Sequence, residues 1–353
     1  GIRDKLVTGV QTCALPILSD AGAPAPTIEI DPDAAVIELG GRAIGPHLPL
    51  GPGLEKAVER ARMVGATSMQ VFSDNPTSWR RRTEPPAGID RFRAALERAG
   101  IGPLAIHAAY LVNLASPDDE VRDRSVATMV SELEMGARYG ARFVNVHIGS
   151  HKGAGLEPGL ERAGETIARI LDLVPPSADA PRFVLEDSAG QGDTVGVTVA
   201  EIGAILAAAE RHGADPARLG ICLDTAHLWG AGFDLDDPAA IDRLLADLDA
   251  TCGPDRLALI HLNDSRAARG SRMDRHEHIG GGGIGEAGLR HLVGHPRLAK
   301  VPMILETPGM DTGWDAVNMD RVRSLLGDRP LAPLPDGARA VRGGRGGGRT
   351  PAS

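Results

Sequence analysis

The sequence has 353 residues, 42% of them hydrophobic and 24% charged, a globular composition that excludes a fibrous protein but leaves open one or two domains. Its formal net charge of −9 is unusual for a protein that binds nucleic acid, because affinity for phosphate normally comes from Lys and Arg. Three cysteines without paired spacing argue against a disulfide scaffold and favour a cytoplasmic location, and no stretch approaches the roughly 20 apolar residues of a membrane span.

The two ends of the chain differ from the rest. Polar residues interrupt the apolar run of the first segment, so we expect residues 1–25 to be an artefactual or disordered leader rather than a signal peptide. Residues 329–353 end in GGRGGGRTPAS, which is too rich in Gly and Arg to build a core, and they are predicted to form a flexible tail. The prediction of the fold therefore concerns residues 40–328.

Eight short apolar runs are predicted to be strands. In chain order they end at His47, Phe72, His107, His147, Glu186, Asp224, His261 and Glu306. Each is a continuous apolar segment, typical of a strand that is covered on both faces of a parallel sheet. Apolar residues at helical spacing lie between them, in segments 54–64, 89–96, 126–137, 160–173, 199–212, 239–248 and 317–326.

Strand and helix alternate at an even spacing. From His107 onwards the strand ends follow one another at intervals of 37 to 45 residues, which fits one βα unit each. Eight such units predict a single-domain α/β fold, the closed TIM (β/α)8 barrel, with flexible N- and C-terminal extensions. A doubly wound open sheet is the alternative, but it would not need eight units of such even length.

The last residue of six successive strands is polar, whereas the residues before it are almost all apolar. These six are His107, His147, Glu186, Asp224, His261 and Glu306. A single one would more often be a loop cap than a ligand, but the C-terminal ends of barrel strands converge on one mouth. Carboxylates gathered there would repel one another unless a cation lay among them. The mixture of imidazole and carboxylate is typical of zinc or manganese, and the lack of Cys in it favours a catalytic site.

Two short motifs enlarge this set. Asp224 and His227 lie three residues apart in ICLDTAH, on a turn after a strand, and Asp274 and His276 lie two apart in SRMDRHEH, in a long loop. The nine candidate ligands are His107, His147, Glu186, Asp224, His227, His261, Asp274, His276 and Glu306. Nine are too many for one ion, and with shared carboxylates they suit a cluster of three. His47, at the end of the first strand, is predicted to face the mouth as a substrate contact.

Longer motifs connect these residues. HAAYLVNLASP, NVHIGSHKGAG, LEDSAGQG, CLDTAHLWGAGFDL, HLNDSRAARGSRMDRHEHIGGGGIG and ILETPG occur in this order between about residues 42 and 326. In these motifs the chain resembles the endonuclease IV family of zinc-dependent apurinic/apyrimidinic endonucleases. The resemblance implies a TIM barrel with three zinc ions, manganese being the alternative metal. It implies one ion on His107, His147 and Glu186, a second on Glu186, Asp224, His261 and Glu306, and a third on His227, Asp274 and His276.

The resemblance also implies an activity, that of a DNA repair enzyme of the deoxyribonuclease IV type. Such an enzyme hydrolyses the phosphodiester 5′ to an abasic site by a trinuclear zinc mechanism, and it leaves a 3′-hydroxyl and a 5′-deoxyribose phosphate. Glu186 would bridge two ions, and Glu306 would orient or deprotonate the nucleophile. The expected partner is double-stranded DNA that contains abasic sites, and the expected state is a monomer. Because three zinc ions would bring the formal charge of −9 to about −3, a local basic rim would suffice for DNA.

Five residues are predicted to contact DNA. Tyr110 matches the family aromatic that enters the DNA at the lesion, where a ring can replace lost base stacking. His47, Arg80, Arg81 and Arg275 are the candidates for the rim of the mouth.

Three positions depart from the family pattern. Thr77 stands where the family often has an intercalating Arg, Gly281 replaces a common Glu, and Asp187 replaces an Asn. No ligand position is lost, so we expect activity with an altered affinity or lesion preference. Two alternatives remain open. The change at Thr77 motivates a non-catalytic lesion-binding module, and the barrel itself would suit a metal-dependent sugar isomerase or epimerase, which would not need the third ligand set.

Overall fold

The computed structural model describes residues 25–310 and 312–341. The predicted leader falls almost wholly outside these ranges, and so does the part of the predicted tail that follows residue 341. Within the described ranges, no helix combines the length and the apolar character needed to cross a membrane.

All eight predicted strands are present, and together they form the wall of the barrel. They are β1 (Ile44–Pro46), β2 (Met69–Phe72), β3 (Leu104–His107), β4 (Phe143–His147), β5 (Arg182–Glu186), β6 (Leu219–Asp224), β7 (Leu257–His261) and β10 (Met303–Leu305). A short antiparallel hairpin, β8 (Asp264–Ser265) with β9 (His276–Glu277), lies between β7 and β10 in the chain. Two strands end one residue earlier than predicted, so that His47 and Glu306 directly follow β1 and β10.

The barrel strands are parallel and run in the order β1-β10-β7-β6-β5-β4-β3-β2. The first and last strands of this order meet at a seam, where a parallel bridge joins His47 to Gln70 and the Leu48 N–H donates to the Gln70 carbonyl at 2.9 Å. The close approach requires glycine at position 45, because a Cβ there would lie 1.7 Å from the Ser68 carbonyl oxygen. The predicted TIM barrel is confirmed.

Helices separate the strands along the chain and cover the outside of the barrel. They are α1 (Pro32–Glu38), α2 (Leu54–Met63), α3 (Ile89–Ala99), α4 (Asp119–Tyr139), α5 (Leu156–Leu173), α6 (Val199–Arg211), α7 (Thr225–Ala231), α8 (Pro238–Cys252), α9 (Gly285–Gly294) and α10 (Trp314–Leu326). Their limits follow from local chemistry. The Asp118 carboxylate accepts the backbone N–H groups of Glu120 and Val121 at the start of α4, and Gly140 ends that helix with φ 72°.

Three helices lie outside the predicted segments. α1 and α7 have seven residues each, which is too short for a clear apolar period. α7 begins directly after β6, inside the motif that we interpreted as a turn, and Asp224 is its N-cap residue. α9 follows a glycine-rich stretch that masks its start.

Residues 331–341, which belong to the predicted flexible tail, are packed against the barrel. Ala338 and Val341 are buried in a small apolar cluster with Trp314 and Val317 of α10. This part of the tail is therefore an ordered addition to the wall, next to the N-terminal end of α10.

Candidate metal centre

The pleat of the strands places the predicted ligands in one layer at the mouth. In β5, Val184 lies in the apolar cluster inside the barrel, and Glu186, two residues later, points to the same inner face. The same relation holds for Ala105 and His107, Cys222 and Asp224, Leu259 and His261, and Ile304 and Glu306. The inner cluster thus forms an apolar floor beneath a layer of imidazoles and carboxylates.

Glu186 lies at the centre of this layer. Its carboxylate oxygens are 3.4 Å from His107 Nε2, 3.6 Å from His147 Nε2 and 3.3 Å from His261 Nδ1. The ligand atoms of His107, His147 and Glu186 all lie within 4.8 Å of one another. This is the first ligand set implied by the sequence.

The second implied set is also brought together. Ligand atoms of Glu186, Asp224, His261 and Glu306 lie within 4.8 Å of one another. His261 Nδ1 is 3.1 Å from Glu306 Oε2 and 3.7 Å from Asp224 Oδ2. Since Glu186 belongs to both sets, its two oxygens are available to two ions.

The third set is assembled around Asp274. Its carboxylate is 3.4 Å from His227 Nε2 and 3.0 Å from His276 Nε2. Asp224 reaches this set as well, because its Oδ2 lies 3.4 Å from His276 Nε2, and Asp224, His227 and His276 form a further group whose ligand atoms lie within 4.8 Å. The structure therefore gives Asp224 the geometry of a second shared carboxylate, which the sequence did not indicate.

Backbone carbonyls orient three of the histidines. The Nδ1 atom of His107 lies 2.7 Å from the Ala108 carbonyl, that of His227 lies 3.0 Å from the Asp187 carbonyl, and that of His276 lies 2.8 Å from the Glu306 carbonyl. A carbonyl can only accept, so each Nδ1 carries a proton and Nε2 is the ring atom directed at the centre, where the neutral imidazole presents its lone pair.

Gln70 orients His261 the other way round. Its Oε1 lies 3.1 Å from His261 Nε2 and accepts a hydrogen bond from it, so that Nδ1 is the ring atom that faces the carboxylates and could bind a metal. The Gln70 amide also donates to Glu306 Oε1 at 2.7 Å. One side chain thus fixes two ligands, and sequence analysis missed it; the signal was a polar residue inside the apolar run SMQVF.

Two asparagines, which the sequence analysis also missed, hold the other carboxylates. Asn145 donates to Glu186 Oε2, and Asn263 donates to Asp224 Oδ2 at 2.9 Å while its own oxygen accepts the Glu306 N–H at 2.9 Å. Asn145 interrupts the apolar run FVNVH, so the sequence carried a signal for it. Asn263 follows its strand by two residues and has no comparable signal.

Several ligand atoms that face the centre are buried yet have no hydrogen-bond partner among the described residues. They are His107 Nε2, His147 Nε2, Glu186 Oε1, His261 Nδ1, His276 Nε2 and Glu306 Oε2. Buried polar atoms are normally satisfied, and each one left alone costs about 1–3 kcal/mol. Six such atoms converging in one cavity fit a set of divalent cations, which would satisfy all of them.

Three carboxylates of the centre favour their ionised state, whereas burial raises the pKa of the fourth, Asp224. Burial opposes ionisation of Glu186 and Glu306, but nearby imidazoles, with His261 common to both, hold the pKa of each carboxyl well below its usual value. The imidazoles of His276 and His227 do the same for the pKa of Asp274. Burial lowers the pKa of His147 to about 4, whereas neighbouring acidic groups raise the pKa of His276 to about 9 and raise the pKa values of His227 and His261. Binding of a metal would therefore displace protons from these three imidazoles.

The departure at Asp187 keeps one hydrogen bond at the mouth, while the Oδ2 atom of this side chain has no hydrogen-bond partner among the described residues. Asp187 Oδ1 accepts the Asp224 N–H at 2.6 Å, as an amide oxygen would. Burial raises the pKa of Asp187 well above its usual value, so the side chain is neutral, like the Asn that it replaces.

Tyr110 lies beside the ligand layer, and two of the predicted rim residues are exposed. The Tyr110 ring centroid is 5.5 Å from that of His107 and 5.3 Å from that of Phe72, and its hydroxyl has no hydrogen-bond partner within the described part of the chain. Arg80 and Arg275 are exposed, and Arg275 donates to the carbonyl of the neighbouring ligand Asp274 at 2.7 Å.

The other two predicted DNA contacts are engaged inside the protein. His47 is 1% exposed, and its Nδ1 lies 2.9 Å from Glu306 Oε1. The Arg81 side chain is 9% exposed; it pairs with the buried Glu132 at 3.1 Å and donates to two carbonyls of its own loop. His47 therefore supports Glu306, and Arg81 braces the loop after β2; their predicted contacts with DNA stay predictions.

Comparison with known proteins agrees with this geometry. Residues 58–326 match the family model described as a xylose isomerase-like TIM barrel. The chain is 39% identical over 283 residues to the probable endonuclease 4 of Chloroflexus aurantiacus, a match that covers 80% of this chain and 97% of that protein. It is also 39% identical over 285 residues to the probable endonuclease 4 of Methanoculleus marisnigri, covering 80% and 99%.

Solved structures give the same result. The crystal structure of endonuclease IV from Thermus thermophilus matches with a TM-score of 0.70 and 36% identity, covering 81% of this chain and 99% of that one. A D-tagatose 3-epimerase-like protein matches with a TM-score of 0.59 but only 16% identity, over 80% of this chain and 97% of that one. The second likeness concerns the fold alone. The first, with the two relatives above, confirms the predicted family and enzyme class: the chain belongs to the endonuclease IV family.

Proposed function

We propose that this chain is a DNA repair endonuclease that hydrolyses the phosphodiester 5′ to an abasic site in double-stranded DNA. In this proposal it acts as a monomer, carries three zinc ions, and leaves a 3′-hydroxyl and a 5′-deoxyribose phosphate. One observation supports it above all: nine imidazole and carboxylate side chains meet at the barrel mouth, and six of them have a buried ligand atom without a hydrogen-bond partner among the described residues. The names of the relatives, probable endonuclease 4 and endonuclease IV, support the choice of DNA as the substrate.

The three ligand sets would hold the ions as follows. His107, His147 and Glu186 would hold one, Glu186, Asp224, His261 and Glu306 a second, and His227, Asp274 and His276 the third, with Asp224 shared between the last two. Zinc ions bound there would supply Lewis acidity and compensate the negative charge that develops on a phosphodiester during hydrolysis.

Glu306 is the group best placed to move a proton. Its Oε1 is held by Gln70 at 2.7 Å and by His47 at 2.9 Å, which leaves Oε2 facing the centre without a hydrogen-bond partner in the described residues. The low pKa of this carboxyl keeps it ionised. Glu306 Oε2 can therefore orient an attacking water and accept its proton, while Glu186 holds the ligand layer together.

Contacts to DNA complete the proposal. Tyr110 would stack in the space left by the missing base. Arg80 and Arg275, which are exposed, would contact phosphates beside the lesion. With Thr77 in the loop after β2, recognition of the lesion would depend more on Tyr110 than it does where an Arg occupies that position.

An abasic-duplex nicking assay on one protein sample, with its metal content measured, tests the proposal. We expect about three zinc ions per chain, cleavage 5′ to the lesion, loss of cleavage after chelation, and recovery when zinc is restored. Tight binding without cleavage by the zinc-loaded protein would instead support the lesion-binding module. One or two metals with turnover of a ketose would support the sugar epimerase, which the complete third ligand set disfavours.

A further inference from the structure

Residues 331–341, here called the C-terminal segment, lie directly on the glycine loop, residues 279–285 (IGGGGIG). A Cβ on Gly280 would lie 2.2 Å from Leu331 Cδ1, and a Cβ on Gly281 would lie 2.7 Å from Leu334 Cδ1. Two leucines of the segment thus occupy the space that side chains at these positions would fill. The contact depends on the absence of side chains in the loop.

Arg321 joins the loop and the segment through hydrogen bonds. This arginine of α10 is 6% exposed, and its guanidinium donates to the Ile279 carbonyl in the glycine loop and to the Ala332 carbonyl in the C-terminal segment, the latter at 2.6 Å. Asn318, one turn earlier on the same helix, accepts the Ile279 N–H at 2.9 Å. α10 therefore fixes the position of the glycine loop relative to the C-terminal segment.

His278 makes a second direct connection. It is fully buried, its Nδ1 lies 3.0 Å from the Asn318 amide nitrogen, and its Nε2 lies 3.2 Å from the Ala338 carbonyl. The amide donates to Nδ1, so the proton is on Nε2 and is donated to Ala338 in the segment. The ring also packs 5.0 Å from that of Trp314, in contact with the cluster that buries Val341.

His278 lies two residues after His276 of the third ligand set. On one side, this stretch is held by the pairing of β9 with β8. The Asp264 carboxylate of β8 also accepts the N–H groups of Gly282 and Ile284 at 3.0 Å each. The other side is held by the C-terminal segment and α10. The match to the family model covers residues 58–326, and the segment lies outside it.

We propose that the C-terminal segment is a positioning element of the metal centre. The segment covers Gly280 and Gly281 and accepts a hydrogen bond from His278. In this way it fixes the stretch that positions His276 and Asp274 to bind the third ion. The inference rests on the proposed function only in treating those two residues as metal ligands.

Amide hydrogen exchange of the zinc-free protein tests the positioning directly. The variant is the full chain carrying both Leu331→Ser and Leu334→Ser, and the matched control is Leu173→Ser, since Leu173 is 53% exposed on α5. We expect amides of residues 276–285 to exchange about tenfold faster in the double variant, while strands β3 and β4 keep the protection of the control. Equal protection of residues 276–285 in both proteins would overturn the proposal.

Zinc titration against a chromophoric chelator tests the link to the metal. The double variant should lose about tenfold in affinity at its weakest zinc site and keep the affinity of the others, as expected when a partner of a ligand is lost. Faster exchange without any change in zinc affinity would refute the positioning role. If the nicking assay fails, hydrogen exchange and zinc titration still test the positioning role, because neither depends on cleavage.

Discussion

The substitution Gln70→Met tests directly whether hydrogen bonds from Gln70 orient the ligands His261 and Glu306. Methionine keeps the length and nearly the volume of glutamine, but it removes the 2.7 Å hydrogen bond to Glu306 and the acceptor for the His261 proton. A hydrogen bond to a charged acceptor contributes about 1.5–3 kcal/mol, which corresponds to about 10- to 150-fold in an equilibrium constant. We therefore expect zinc affinity at the set that contains His261 to fall by about 10- to 100-fold, the range for partners of metal ligands.

Competition with a chromophoric chelator would measure that affinity, and circular dichroism on the same sample would verify the fold. The nicking rate at saturating zinc should recover in part, because Met removes the orientation of Glu306 but leaves its carboxylate. If Gln70→Met binds zinc and cleaves DNA like the unaltered protein, then Gln70 does not orient His261 and Glu306, and our account of the tautomers is wrong.

Four further substitutions test the roles of single side chains. Glu306→Gln should lower the cleavage rate by about 10²- to 10⁴-fold, as expected for loss of a general base, with the unfolding transition preserved; an active, zinc-loaded variant would remove Glu306 from that role. Tyr110→Ala should weaken binding to an abasic duplex by about 1–3 kcal/mol in a fluorescence titration, and equal affinity would make Tyr110 a packing residue. Arg81→Ala should destabilise the fold by about 3 kcal/mol in denaturant, because it leaves Glu132 buried and unpaired. The matched change Arg80→Ala should instead spare stability and reduce the salt dependence of DNA binding by about one ion; the reverse pattern would contradict our assignment of the two arginines.

The barrel and its ligand layer could be predicted from the sequence because both depend on short-range patterns. Apolar runs that end in a polar residue mark parallel strands, and the topology of a barrel brings their C-terminal ends together whatever the loops do. His107 and Glu306 lie 199 positions apart in the chain. Each stands at the C-terminal end of a barrel strand, and the alternation of side chains along the strand turns both inward, which places them in the same layer. Asp274 and His276 could be predicted only from their motif, since they lie outside the barrel strands.

What the sequence could not show depends on partners that are distant in the chain. Arg81 belongs to a run of three arginines and has the pattern of an exposed basic cluster, but a glutamate 51 residues later, on the buried face of α4, pairs with it. The tail after residue 329 has a composition that predicts flexibility. Its first part is ordered because Trp314 and Gly281 offer surfaces that only the folded barrel creates.

We expect the seam between β1 and β2 to make the resistance of the barrel to heat unequal. Only there is the wall closed by a lone bridge instead of a continuous ladder within the described strands, and the two residues of that bridge, His47 and Gln70, are the ones that grip Glu306. Warming should loosen this joint before the remaining wall yields. The cleavage rate should then fall a few degrees below the melting temperature of the protein, so that activity is lost before the barrel unfolds.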